Sequence, residues 1–234
     1  MAKVVAIHQP NFFPWLGYFD KIIRADIFVF LDDVQFSKTG GTWSNRVQLL
    51  IGGDVRWLTA AIDRNYSGVR AICEMSYLLA NPWRQKALKS IESNYRRHPY
   101  FIETMEVVEP LLLNSECNIA EYNIYAVTRL MQELGLDVSK LRRSSEFLVE
   151  EHSNDLLCSL TVLCGGTTYM CGGGAKGYQD DEVFERRGID LMYQSFSHPV
   201  YMQQGRGEFV PGLSVVDAVM NLGWQEVAAL LKGV

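Results

Sequence analysis

The chain has 234 residues, and its 22 Lys and Arg against 27 Asp and Glu leave a formal net charge of −5. With hydrophobic residues at 48% and charged residues at 21%, disorder, collagen and a small disulfide scaffold are excluded, and the length suits one large domain or two small ones. The pI near 5.4 lacks the basic footprint that binding to a duplex needs, so nucleic acid is not an expected partner.

Val4 to Ile7 is a short apolar run that breaks at His8-Gln9-Pro10-Asn11 and resumes at helical spacing through Leu16, Phe19, Ile22 and Ile23. Ile27-Phe28-Val29-Phe30-Leu31 follows, β-branched and aromatic without alternation, as in a strand buried on both faces of a parallel sheet. The three segments read as a β-α-β unit, in which ligands bind outside the carboxyl ends of the strands. Thr42 to Ile62 alternates more clearly and is joined through Gly52-Gly53-Asp54, the pattern of a β-hairpin.

Asn81-Pro82 reads as a helix start, with Asn as cap and Pro at the first helical position, and apolar spacing follows through Tyr95. A second helix is expected from near Pro99 toward Leu113, and a third from a cap at Asn118 to a stop at Gly135. From Val138 the alternation of strands and helices returns. It gives a strand near Lys140-Arg143, a helix capped at Ser153 or Asn154, and a strand at Thr167-Cys171. A helix near Asp180-Arg187 and a strand at Ile189-Tyr193 come next. A closing helix begins at Ser214, where Ser-x-x-Asp with Asp217 imitates a capping box.

The simplest assembly is one α/β domain over residues 1–234 with a Rossmann-like, mostly parallel sheet. First and last thirds supply the sheet, interrupted by the hairpin and by a helical insertion over about 81–136. The apolar stretch after Lys3 is too short for a secretion signal, and a run of about 18 apolar residues is missing, so a cytoplasmic protein without membrane insertion is expected. Reduced thiols fit that compartment. Cys158, Cys164 and Cys171 lack the short spacing of zinc knuckles, and His8, His98, His152 and His198 form no i, i+4 pair, so no metal is expected.

Polar residues concentrate in three segments: His8-Gln9-Pro10-Asn11, Asp32-Asp33-Val34-Gln35-Phe36-Ser37-Lys38 and Trp43-Ser44-Asn45-Arg46. The topology can bring their acid, base and amide groups to one strand edge. A histidine there suits general-base work, with a carboxylate to fix its tautomer. Lys38 and Arg46 suit a phosphate or carboxylate. The plain alternative is that His8 caps a turn and Asp32 and Asp33 are loop residues. Gly172 and Gly173 follow a predicted strand, where glycine lets backbone N–H groups approach a phosphate, and with Tyr178 they are candidate substrate contacts. Glu150-Glu151-His152 is set aside, because acidic residues simply favour the helix N-terminus they precede.

The long motifs from Ile7 through Lys21, from Ala25 through Lys38, and Trp43-Ser-Asn-Arg strongly resemble the WbqC-like family. Trp57-Leu-Thr, Asn81-Pro-Trp, Thr168-Tyr-Met, Tyr178, Leu213-Ser-Val-Val-Asp and Asn221-Leu-Gly extend the resemblance along the chain. Members are often encoded among genes for bacterial O-antigen and related surface polysaccharides. The resemblance implies a transferase that adds an acyl or aminoacyl group to the amine of a nucleotide-linked amino sugar. It implies His8 as base, Asp33 orienting it, and Gln9, Asn11 and Asn45 as polar contacts to sugar or carbonyl oxygen. Asp32, Gln35 and Trp43 join the substrate set, and Lys38 and Arg46 meet the diphosphate. The donor is unidentified; an acyl or aminoacyl carrier, or ATP, fits.

The same β-α-β segment faintly resembles the nucleotidylyltransferase superfamily, pantothenate synthetase in particular, with Gln35-Phe36 ending the second strand. It departs at Gly17-Tyr18, where the second histidine of His-x-Gly-His would fall. Under that resemblance ATP lies over His8, and an adenylylated acid is a candidate intermediate. A non-catalytic sugar-nucleotide binding protein is the third reading. Trp15, Trp224 and the apolar closing helix are candidate elements of a homodimer.

Overall fold

The computed structural model describes residues 2–37, 42–173, 180–205 and 207–233. Five strands, β1 (Val4–His8), β2 (Ile27–Phe30), β5 (Leu141–Arg143), β6 (Thr168–Cys171) and β7 (Asp190–Tyr193), form one parallel sheet in the order β5-β2-β1-β6-β7. Taken in chain order along the sheet, these are its third, second, first, fourth and fifth strands, the doubly wound Rossmann arrangement. The order in which strands are added reverses between β1 and β6, so the carboxyl ends of these two strands mark its switch point.

Helix α1 (Leu16–Arg24) connects β1 to β2, α5 (Ser153–Leu163) connects β5 to β6, and α6 (Asp181–Arg186) connects β6 to β7. Alternation along the strands sends side chains to two cores. Ala6, Phe28, Phe30 and Met170 pack with α1 and with α7 (Val215–Lys232), whereas Val5, Ile7, Val29 and Cys171 pack with α5 and α6. The apolar, non-alternating strands thus follow from burial on both faces.

Between β2 and β5 lie a separate antiparallel hairpin, β3 (Arg46–Ile51) and β4 (Asp54–Thr59), and three helices, α2 (Trp83–Tyr95), α3 (Phe101–Leu113) and α4 (Ile119–Glu133). The hairpin turns at Gly52 and Gly53, with φ of 65° and 81°, a pair of left-handed conformations that glycine alone adopts without cost. Asn118 caps α4 by accepting from the Glu121 N–H at 3.1 Å.

Two helix starts differ from the expected ones, and a third, at the expected Ser214, lacks the expected capping box. Pro82, not Asn81, holds the cap position of α2 and makes no side-chain bond; α5 is capped at His152, and its first residue, Ser153, sits at φ 56°, a left-handed conformation. At α7 the Ser214 hydroxyl does accept from Val216 N–H at 3.3 Å, but Asp217 does not close a capping box. Its carboxylate instead accepts from Tyr95 at 2.8 Å, Tyr201 at 2.7 Å and Gln203 at 3.2 Å. A buried acceptor with three donors is worth more there than a solvent-facing cap.

Candidate functional site

The motif from His8 to Trp15 is a junction. After β1 the chain is held by Phe12 N–H on the Trp43 carbonyl at 2.8 Å, by the Ser214 hydroxyl on the Phe13 carbonyl at 2.7 Å, and by Val215 N–H on the Pro14 carbonyl at 2.8 Å. Phe13 sits at φ 42°, a left-handed conformation that costs an ordinary residue about 1–2 kcal/mol, and these bonds hold it there. Asn123 of α4 donates its amide to Pro10 at 3.0 Å and to Ser44 at 2.7 Å. Hairpin, insertion and closing helix therefore all converge on the loop that follows His8.

At the switch point a cavity of about 350 Å³ is lined by Ile7, His8, Trp15, Gly17, Tyr18, Lys21, Tyr169, Cys171, Gly172, Gly173 and Gln194. His8 Nδ1 lies 3.1 Å from the Gln9 carbonyl. A carbonyl oxygen only accepts, so this contact places the imidazole proton on Nδ1 and leaves Nε2 with its lone pair. The Tyr18 ring meets the imidazole edge-on at 4.9 Å, and its hydroxyl donates to the same Gln9 carbonyl at 3.0 Å. Burial, reinforced by the Lys21 charge, holds the imidazole pKa down to about 3, against a partial upward pull from Gln9. His8 is therefore neutral at physiological pH.

Lys21 is buried, and its ammonium donates to the Ile7 carbonyl at 2.9 Å. Desolvation draws its pKa down to about 8. The neighbouring Asp20 is engaged elsewhere, with Arg24 at 2.8 Å and with the Gln194 amide at 2.6 Å. Gln194, just past β7, also donates to the Gly17 carbonyl at 2.8 Å and so ties the first turn of α1 to the sheet.

Neither member of the acidic pair lines the His8 cavity. Asp32 is buried and accepts from Ser144 Oγ at 3.0 Å, Ser145 N–H at 3.0 Å and Ser145 Oγ at 2.8 Å, fastening the chain after β2 to the chain after β5. Asp33 accepts from Ser144 Oγ as well. The expected orientation of His8 by Asp33 is not what the geometry gives, because the Gln9 backbone takes the Nδ1 proton. Asp33 and Gln35 instead border a second cavity, about 550 Å³, together with Val149, Glu151, His152 and Ser153. Glu151 and His152, set aside in the sequence, thus share a cavity wall with Asp33.

Asn11 and Asn45 are buried; Asn45 donates to Ala60 at 3.1 Å and accepts from Thr42 N–H at 3.3 Å, so it shapes the loop. Gln9 is engaged through its carbonyl. Trp43 and Trp57, each 39% exposed, form with Trp15 a series of indoles at centroid separations of 5.5 and 5.2 Å. The Arg46 guanidinium lies 4.1 Å from the Trp57 centroid, a cation–π stack, rather than in the His8 cavity. Trp15 and Trp224 are partly buried against the core. Lys38 and Tyr178 lie outside the described residues.

The structure therefore brings His8 together with Gly172 and Gly173, and places Asp33 and Gln35 elsewhere on the carboxyl edge. Sequence reasoning missed Lys21, Tyr18 and Gln194. The available signal for Lys21 was its place in the short amphipathic helix Leu16–Arg24, directly after the strand that ends at His8. Among the described residues no helix is long and apolar enough to cross a membrane.

No solved structure matches the chain. An uncharacterized protein of Mycobacterium tuberculosis, Rv1507c, is 27% identical over 222 residues, covering 94% of each chain. The model of the WbqC-like protein family matches residues 9–229, starting at the residue after His8 and spanning the loop, the hairpin, the insertion and the closing helix. The chain belongs to the WbqC-like protein family.

Proposed function

We propose that this protein is an enzyme of bacterial surface-polysaccharide biosynthesis, acting in the cytoplasm as a single α/β domain. It transfers an acyl or aminoacyl group to the amine of a nucleotide-linked amino sugar. The observation that carries the reading is the neutral His8 at the switch-point cavity, with its proton held on Nδ1 and its Nε2 able to accept one. The substrate class rests on the family resemblance.

In this reaction the sugar amine attacks the donor carbonyl and forms the new C–N bond. The proton lost from nitrogen passes to His8 Nε2, and the donor's leaving atom departs with the C–X electron pair and takes that proton. Gln9 fixes the imidazole tautomer through its carbonyl, and Tyr18 braces the ring.

A thermal-shift panel tests the substrate, since a ligand at 100 times its dissociation constant adds about 2.7 kcal/mol. Nucleotide-linked amino sugars are expected to raise Tm, and His8→Ala is expected to abolish turnover while keeping that shift. Equal loss of affinity and turnover would instead fit a binding protein.

A second reading, nucleotidylyl transfer or ATP-dependent ligation, is favoured by the place of His8 at the switch point of a doubly wound sheet, while Tyr18 stands in the same cavity where the second histidine of the His-x-Gly-His signature would fall. A Tm shift with ATP alone and exchange of labelled pyrophosphate into ATP would select it.

A further inference from the structure

We propose that the switch-point cavity is an anion site, in which the Lys21 ammonium and the backbone at Gly172 receive the diphosphate of a nucleotide-linked ligand. The choice of a nucleotide rests on the function proposed above; the anion does not.

Three observations converge. First, Lys21 is 3% exposed, yet among the described residues its hydrogen bond is to one neutral carbonyl, Ile7, and no carboxylate pairs with it. An ammonium has three N–H donors, and burying one without a counter-ion costs several kcal/mol, so a structural lysine in this place would be better replaced by an apolar residue. Second, Lys21 borders an open cavity instead of being packed on all sides. Third, among the described residues nothing stands within 4 Å of where a Cβ on Gly172 would lie, so they leave room for a phosphate against that backbone.

The titratable groups around the ammonium agree with this use. They are His8 on β1, Tyr169 and Cys171 on β6, and Tyr18 and Asp20 on α1; Asp20 is paired with Arg24, and burial raises the Cys171 and Tyr18 pKa values. None supplies a resident negative charge to Lys21 at neutral pH. A bound diphosphate would also offset the Lys21 charge, the smaller of the two causes that lower the His8 pKa, while burial, the larger, would remain.

The test is calorimetric titration of the full chain with UDP, ADP and inorganic pyrophosphate, for the native protein and for Lys21→Met. Native protein is expected to bind at least one of them, and Lys21→Met to lose at least tenfold in affinity while keeping or raising Tm. Independently of the variant's folding, native affinity for UDP is expected to fall as pH rises through about 8, where Lys21 loses its proton. Absence of binding by all three probes, an equal affinity in a folded Lys21→Met, or a pH-independent affinity across that range overturns the proposal. Lys21-dependent UDP binding without any acyl transfer would sink the proposed reaction and leave the anion site standing.

Discussion

The side-chain amide of Asn123 reaches 113 positions back along the sequence to the Pro10 carbonyl, at 3.0 Å, two residues after His8. The same amide holds Ser44 at 2.7 Å, and its oxygen accepts from Tyr77 at 3.0 Å. Asn123→Ala leaves these buried groups short of partners and is expected to destabilise the fold by about 2–4 kcal/mol. Urea unfolding measures that loss; a change below about 0.5 kcal/mol would mean that the knot contributes little.

The lowered His8 pKa makes acid destabilising. An unfolded chain takes up this proton near 6.5 and the folded one only near 3, so the unfolded state binds more protons between those values. Stability attributable to His8 is full above the upper value and is lost as pH falls toward the lower. Relative to His8→Gln, the native protein is expected to lose unfolding free energy through that window. Equal pH profiles for both proteins would show that the imidazole is not desolvated.

Arg84 is buried and donates through Nε to Asn114 at 2.8 Å and through its terminal nitrogen to Glu116 at 2.6 Å, while its guanidinium stacks 4.5 Å from the Trp83 centroid. Lysine can supply the charge but not the planar fork. Arg84→Lys is therefore expected to lower stability by about 1.5–3 kcal/mol, read from the urea midpoint.

Gly17 lines the cavity and packs closely against two rings. A Cβ there would stand 2.9 Å from the Phe196 ring and 3.2 Å from Trp15 Nε1, both side-chain atoms able to shift. Gly17→Ala is expected to cost about 1–3 kcal/mol from overpacking. Titration of the variant with UDP should show weakened binding; native-like affinity would place the nucleotide away from the first turn of α1.

The opening β-α-β unit was legible because its signals are local: an apolar run, helical spacing, a second apolar run. Gly52-Gly53 and the Asn118 cap were readable for the same reason. The face of the carboxyl edge that each loop would meet was not readable. Asp32 and Asp33 are drawn to Ser144 by bonds across 112 and 111 positions, and no neighbouring residue announces them. Asp217 looked like a cap partner from its spacing, but its actual donors, Tyr95 and Tyr201, come from other parts of the chain. His8 was identifiable as the end of a strand, whereas Lys21 owes its place to a long stem that carries the ammonium back to Ile7.

The position of β1 between β2 and β6 also bears on biosynthesis. Val4 has Thr168 as its register partner, so one flank of β1 stays open until the chain has been made through β6. Val5, Ala6 and Ile7 are apolar, and a nascent strand of that kind is a template for wrong pairing. Vectorial synthesis thus offers the α1 crossover early and the switch-point cavity late, and a truncated product ending before β6 would carry His8 on an unprotected edge.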